Sequence, residues 1–147
     1  MKQEGVYIKD AAPCYYIYKQ VMDGRAQVGI VACASADDYR NDIVKKHELT
    51  LAKKEDDRCN HVDFCDANTG PIFLTYRAND AINAVVEKNM KKAPVYDFMG
   101  DKVQQTCWII DDQKDIETIQ SAFAAIPALY IADGHHRCAS AVRVARK

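Results

Sequence analysis

The stretch YYIYKQVMDGRAQVGIVACA, residues 15–34, decides the fold class. Tyr15 to Val21 is rich in β-branched and aromatic side chains, Ala26 to Ala34 is almost continuously apolar, and Asp23-Gly24 lies between them. Strand-forming runs joined through Asp-Gly predict a β-hairpin, because the favoured tight turns need backbone conformations that Asp, Asn and Gly tolerate. The unbroken apolarity of the second run predicts a strand placed centrally in its sheet. The same grammar recurs where Val95–Met99 and Lys102–Ile110 flank Gly100-Asp101, with Trp108 and Ile110 alternating with Ile109 across the sheet.

Helical signals separate these hairpins. Ser35 followed by Asp37 and Asp38 predicts a helix start, with Tyr39, Ile43, Val44 and His47 at helical spacing. The charged run Lys45–Arg58, KKHELTLAKKEDDR, predicts a solvated helix that continues over Cys59–Asn68. Ile72–Tyr76 reads as a buried strand, and Asn79–Lys92 as a helix carrying Ala81, Ile82, Val85, Val86 and Met90. Gln113–Phe123 reads as a helix with Ile116, Ile119, Gln120 and Phe123 on one face, ended by Pro127. Hairpins mixed with crossovers predict an α+β fold, a mixed sheet with helices packed on it, rather than an all-parallel sheet. The expected organisation is an N-terminal arm over 1–14, holding at most an edge strand around Val6, Tyr7 and Ile8, and a single α+β domain over 15–147.

With 147 residues and 48% hydrophobic content, the chain can bury one substantial core. Its net charge of −1 gives no basic face of the kind a nucleic-acid binder needs. Cys14, Cys33, Cys59, Cys65, Cys107 and Cys138 include no CxxC pair, and Cys33 and Cys107 fall in apolar strand patterns that predict buried thiols. There is no leader-like N-terminal pattern and no apolar run of membrane-spanning length, so a cytoplasmic protein is expected. Both ends read as cut, since the last helix runs to Lys147 without a Gly or Pro stop.

The dense chemistry lies in LYIADGHHRCASA, residues 129–141. Ala128–Ala132 reads as a buried strand, Gly134 breaks it, and His135–Arg146 reads as a helix. A helix start presents unpaired N–H groups and a partial positive charge suited to an anion, and Arg137 adds a fork of donors. Asp133, His135 and His136 add a carboxylate and imidazoles able to move protons or ligate a metal. The structural alternatives are Asp133 as helix N-cap, Gly134 as mere turn relief, and one His as a half-buried packing residue. Four polar groups directly after an apolar strand favour function over capping.

A tightly bound transition metal is not expected. HExxH is absent, and adjacent His135 and His136 diverge on a helix, so they do not easily face one ion together without His47 or Glu48 from elsewhere. Mg²⁺ carried by ADP or ATP, held through Asp133 or Glu48, fits these hard ligands better. Cys138 and Ser140 lack an orienting group and a base, so both read as packing residues. Neither a Walker A pattern nor GxGxxG occurs; the phosphate reading rests on Gly134, Arg137, the helix start, Lys53, Lys54 and Arg58.

KKHELTLAKKEDDR, PIFLTY, CWII and above all LYIADGHHRCASA resemble the bacterial and archaeal family called domain of unknown function 1015, from about Tyr15 to the C-terminus. The resemblance implies a central segment of proteins more than twice as long. That family in turn resembles the ParB and sulfiredoxin superfamily, in which a Gly, His and Arg motif at a helix start binds nucleotide phosphates and one branch phosphorylates free serine. By that resemblance Asp133, Gly134, His135, His136 and Arg137 match the phosphate-binding block, and His47, Glu48 and Thr50 match the family's other polar block. The implied function is phosphate or nucleotide binding, with phosphoryl transfer to a small metabolite such as free serine. Asp133, His135, His136 and Glu48 stand as catalytic candidates, and Gly134, His135, Arg137, His47, Thr50 and Arg58 as phosphate contacts. The alternatives are a non-catalytic nucleotide-responsive module and a phosphoserine-type hydrolase. The expected partners are a nucleotide and a small-molecule substrate, with a homodimer allowed, and neither nucleic acid nor a membrane.

Overall fold

The structure, a computed structural model, describes residues 4–5 and 8–146. Val6, Tyr7 and Lys147, on which the expected arm strand and the end of the last helix partly fall, lie outside the described residues. Ile8 to Cys14 form no strand. The fold is α+β, as the hairpins predict, and it gathers into two compact units, residues 1–33 with 78–124 and residues 34–77 with 125–147. Both units draw on the stretch expected as one domain.

The first unit is built on a four-stranded sheet of β1 (Tyr15–Met22), β2 (Arg25–Val31), β5 (Tyr96–Gly100) and β6 (Val103–Ile110), in the order β2-β1-β6-β5 with every pair antiparallel. Both predicted hairpins are present, and Asp23 and Asp101 adopt positive φ in their turns, as the turn type requires. The expected central place of β2 is corrected: it lies at the edge, with Val28 and Val31 exposed. Apolarity alone does not assign an inner position here, because the second bonding edge of β1 is taken by β6, leaving β2 at the rim. Helices α3 (Asp80–Asn89), capped by the Asn79 carboxamide, and α4 (Gln113–Ala124) belong to the same unit. Its core consists of Ile17, Val85, Trp108, Ile110, Ile116 and Ile119. Trp108 and Ile110 alternate with Ile109 as expected, and the indole Nε1 donates to the Lys92 carbonyl at 3.1 Å. Gln120, assigned to the apolar face of α4, is exposed; Asp115 is the polar residue that is buried.

The second unit holds a three-stranded mixed sheet of β3 (Val44–Lys45), β7 (Leu129–Asp133) and β4 (Phe73–Thr75), in which β3 runs parallel and β4 antiparallel to β7. The expected helix through His47 stops early. Helix α1 (Ala36–Arg40), capped by Ser35, ends because Asp42 turns into the left-handed region at φ 56°, and the chain then extends into β3. Helix α2 begins at Ala52, not within Lys45–Arg58 from its start, and runs Ala52–Cys65; the HELT residues 47–50 are loop. Strand β4 is less buried than expected, with Phe73 46% exposed. Helix α5 (His135–Val144) completes the unit, whose core is Val44, Ile131 and Cys138 with Tyr39, Ile72, Leu74 and Leu129 packed against them. The thiols are redistributed relative to expectation: Cys33 is exposed and Cys107 half-buried, whereas Cys59 and Cys138 are buried. Cys33 lies past the end of β2, and Cys107 alternates with the buried Thr106 and Trp108 along β6, on the other face of the sheet. No helix of the described residues is long and apolar enough to cross a membrane.

Asp115 carries the clearest pH dependence. Burial alone would raise its pKa, but Lys88 Nζ at 2.8 Å and Asn89 Nδ2 at 2.9 Å hold the carboxylate below its ordinary range. Folding then favours the deprotonated form, so the contribution is present above about pH 4 and is lost as pH falls through the lowered pKa. Asp115→Asn is expected to lower unfolding free energy by about 1–3 kcal/mol at neutral pH. Urea titrations repeated down to about pH 3 should show the gap to the parent chain closing; a gap independent of pH would contradict the assignment.

Candidate functional site

The parallel pairing of β3 with β7 builds the site. Parallel strands leave a sheet at the same end, so the loop after Lys45 and the turn after Asp133 emerge together. That places His47 and Glu48 beside His135, a juxtaposition at the carboxyl ends of strands where α/β sheets commonly form crevices. The His47 and His135 rings meet edge to face with centroids 4.3 Å apart. Glu48 reaches both: Oε2 lies 3.5 Å from His135 Nδ1 and Oε1 lies 3.9 Å from His47 Nε2.

The turn itself is set by Gly134, the N-cap of α5, at φ 94° and ψ 33°. This left-handed geometry is costly for residues with a Cβ. Here a Cβ would also meet the Arg137 guanidinium, 3.1 Å from Nε and Nη2. The guanidinium lies over the glycine, donating from Nη2 to Asp133 Oδ2 and from Nη1 to the Pro71 carbonyl. Asp133 is therefore not the N-cap that the structural alternative expected; its carboxylate pairs with Arg137, and no side chain caps the first turn of α5. The donors of Arg137, expected for phosphate, are drawn onto the protein and brace the turn.

The other expected residues fall into distinct places. His136 is turned away from His135 as the helix geometry requires, and its Nε2 accepts the Leu51 N–H at 3.2 Å, which fixes that ring as the Nδ1–H tautomer. Leu51 is the N-cap of α2 and lacks a capping side chain, so His136 ties the start of one helix to the start of the other. Thr50 donates to Glu55 Oε1, and Glu55 with Asp56 pairs with Arg143 at 3.1 and 2.8 Å. Ser140, buried, donates to the carbonyl of His136 or of Glu55, at 2.6 and 3.2 Å. Burial pushes the Cys138 thiol up, opposite to what a nucleophile requires.

Around the α5 start opens a cleft of about 700 Å³ lined by Glu48, Lys53, Lys54, Asp57, Arg58 and residues 132–137. Lys53, Lys54 and Arg58 project from the first turns of α2, and with Arg137 they outnumber the carboxylates. Of the expected site residues, Asp133 to Arg137, Arg58 and Glu48 line this cleft, whereas His47 and Thr50 do not. The sequence offers Lys53 and Lys54 only as distant support for a phosphate and gives no sign of Asp57. Their helical spacing on α2 was visible, but not which face of α2 meets α5.

Gly134→Ala is expected to destabilise the chain by about 1–3 kcal/mol in urea unfolding, through left-handed strain on a residue with a Cβ and displacement of Arg137. An unchanged midpoint and slope would contradict the role given to this glycine.

No curated protein and no solved structure matches the chain. The family model described as protein of unknown function (DUF1015) matches residues 1–147, and the chain belongs to that family.

Proposed function

We propose that the second unit binds the phosphate of a nucleotide or small phosphorylated metabolite at the start of α5. The observation that carries this reading is the uncapped first turn of a ten-residue helix opening into a cleft edged by Lys53, Lys54 and Arg58. Unpaired N–H groups at a helix N-terminus and flexible cations around them are the ingredients of oxyanion binding. Arg137 contributes by holding Gly134 in its left-handed conformation, and its guanidinium adds positive potential at the turn.

The finer reading is phosphoryl transfer to a small hydroxyl-bearing metabolite such as free serine, supported by the implied relation to the ParB and sulfiredoxin superfamily. Phosphoryl transfer needs positioning and charge neutralisation more than covalent participation by the protein. In that reading the cations and the helix start hold phosphate, and His135 or Glu48 takes the proton of the acceptor hydroxyl. Mg²⁺ arriving with the nucleotide would bind through Glu48, or through Asp133 were it released from Arg137, and would neutralise phosphate charge. Turnover separates the alternatives: transfer to added serine marks the kinase, release of inorganic phosphate from phosphoserine the hydrolase, and binding without turnover the responsive module.

Thermal unfolding with inorganic phosphate, ADP and ATP, each with and without Mg²⁺, tests the binding claim. A ligand at a hundred times its Kd stabilises by about 2.7 kcal/mol, readily seen as a raised midpoint. The paired substitution Lys53→Ala and Lys54→Ala should weaken that ligand at least about tenfold, from loss of charge-assisted hydrogen bonds. No shift with any ligand, or an unaltered one in the variant, would contradict phosphate binding at this cleft.

A further inference from the structure

We infer that His47, Glu48 and His135 form a binding site for a divalent transition metal. One donor atom from each of the three lies within 4.8 Å of the others. Ligands at the usual 2.0–2.1 Å from a tetrahedral ion sit roughly 3.4 Å apart, so a closure of about an ångström completes the triad. The side chains that must move are free to do so: His47 and Glu48 are each 61% exposed, while His135 is held at 5%.

The second observation concerns His135 itself. Its Nε2 is buried and has no hydrogen-bond partner, and its Nδ1 is 3.5 Å from Glu48 Oε2, beyond good hydrogen-bond reach. A buried imidazole with neither nitrogen well satisfied is costly, and such groups call for a partner that the protein does not supply. A proton shared with Glu48 would satisfy Nδ1 but would leave the edge-on packing of His47 against His135 unexplained. A metal ion bound between His135 Nδ1 and His47 Nε2 would take one lone pair from each ring, draw in the carboxylate that already spans them, and fix His135 Nε2 as the N–H.

The donor set narrows the ion. Two imidazoles and one carboxylate suit Zn²⁺, Co²⁺ or Fe²⁺ rather than Mg²⁺ or Ca²⁺, which prefer oxygen throughout. Three protein ligands leave a coordination position for water or an exogenous oxygen. The objection that His135 and His136 diverge is met by the fold: His136 is engaged at Leu51, and the parallel β3–β7 pair delivers His47 and Glu48 in its place. This site does not require phosphate binding, and its test contains no phosphate.

Titration of the full chain with Co²⁺ alone, followed by visible absorption and by calorimetry, should show one equivalent bound with the d–d bands of a low-coordinate ion, displaced by Zn²⁺. His47→Ala and Glu48→Gln, both at exposed positions, should each weaken binding at least about tenfold, with circular dichroism of the metal-free variants unchanged. Absence of binding would overturn the site. So would binding that survives both substitutions, or intense thiolate-to-cobalt bands, either of which would put the ion elsewhere, as at the exposed His61 and Cys65 on α2.

Discussion

The candidate site depends on the stacking of the Arg137 guanidinium over Gly134, with Asp133 and the Pro71 carbonyl holding its ends. Energetically the ion pair is minor: Asp133 is 72% exposed and Arg137 34%, and pairs of that exposure contribute about 0–1 kcal/mol. Its importance is positional. A glycine with φ at 94° lets the chain pass from strand to helix in one residue, and the arginine closes over the space that a Cβ would fill. The helix therefore starts with its N–H groups open, because the carboxylate best placed to cap them is turned to the arginine instead.

The elements around this turn serve to bring a second polar segment to it. Helices α2 and α5 are joined by the buried Ser140 hydroxyl, by Cys59 Sγ near the Ser140 carbonyl at 3.6 Å, and by the Arg143 bridge to Glu55 and Asp56. His136 adds the link to Leu51. With α2 fixed in this way and β3 paired to β7, both ends of the HELT loop are anchored, and the loop lays the exposed His47 and Glu48 beside His135. Buried Cys138 and Ser140 of α5 and Cys59 of α2 act in packing, and the raised Cys138 pKa fits that role.

What the sequence reveals and what it hides follow one division. The hairpin at Asp23-Gly24, a second hairpin whose turn falls at Asp101-Lys102, one residue past the expected Gly100-Asp101, the Asn79 cap and most of the apolar stripes of α3 and α4 are local signals that the structure bears out. Non-local pairing was not legible. Strand β3 is only two residues long, and nothing in Val44-Lys45 announces a parallel partner at Leu129-Tyr130. The rim position of β2 is decided by β6, and the burial of Asp115 by Lys88 and Asn89 on another helix. For the site, the cluster at residues 133–137 stood out as a motif, whereas its meeting with His47 and Glu48 required the sheet. Arg137 looked like a phosphate ligand because its chemistry is general; only the structure shows what its donors touch.

Amide chemical shifts read whether an oxyanion binds at the open start of α5. In a ¹H–¹⁵N titration with inorganic phosphate, the amides of His135, His136 and Arg137 should shift saturably together with those of Lys53 and Lys54. The amides of β1 and β6, in the other unit, should stay in place. Shifts confined to residues away from the cleft, or no saturable shift at the α5 start, would rule out oxyanion binding there.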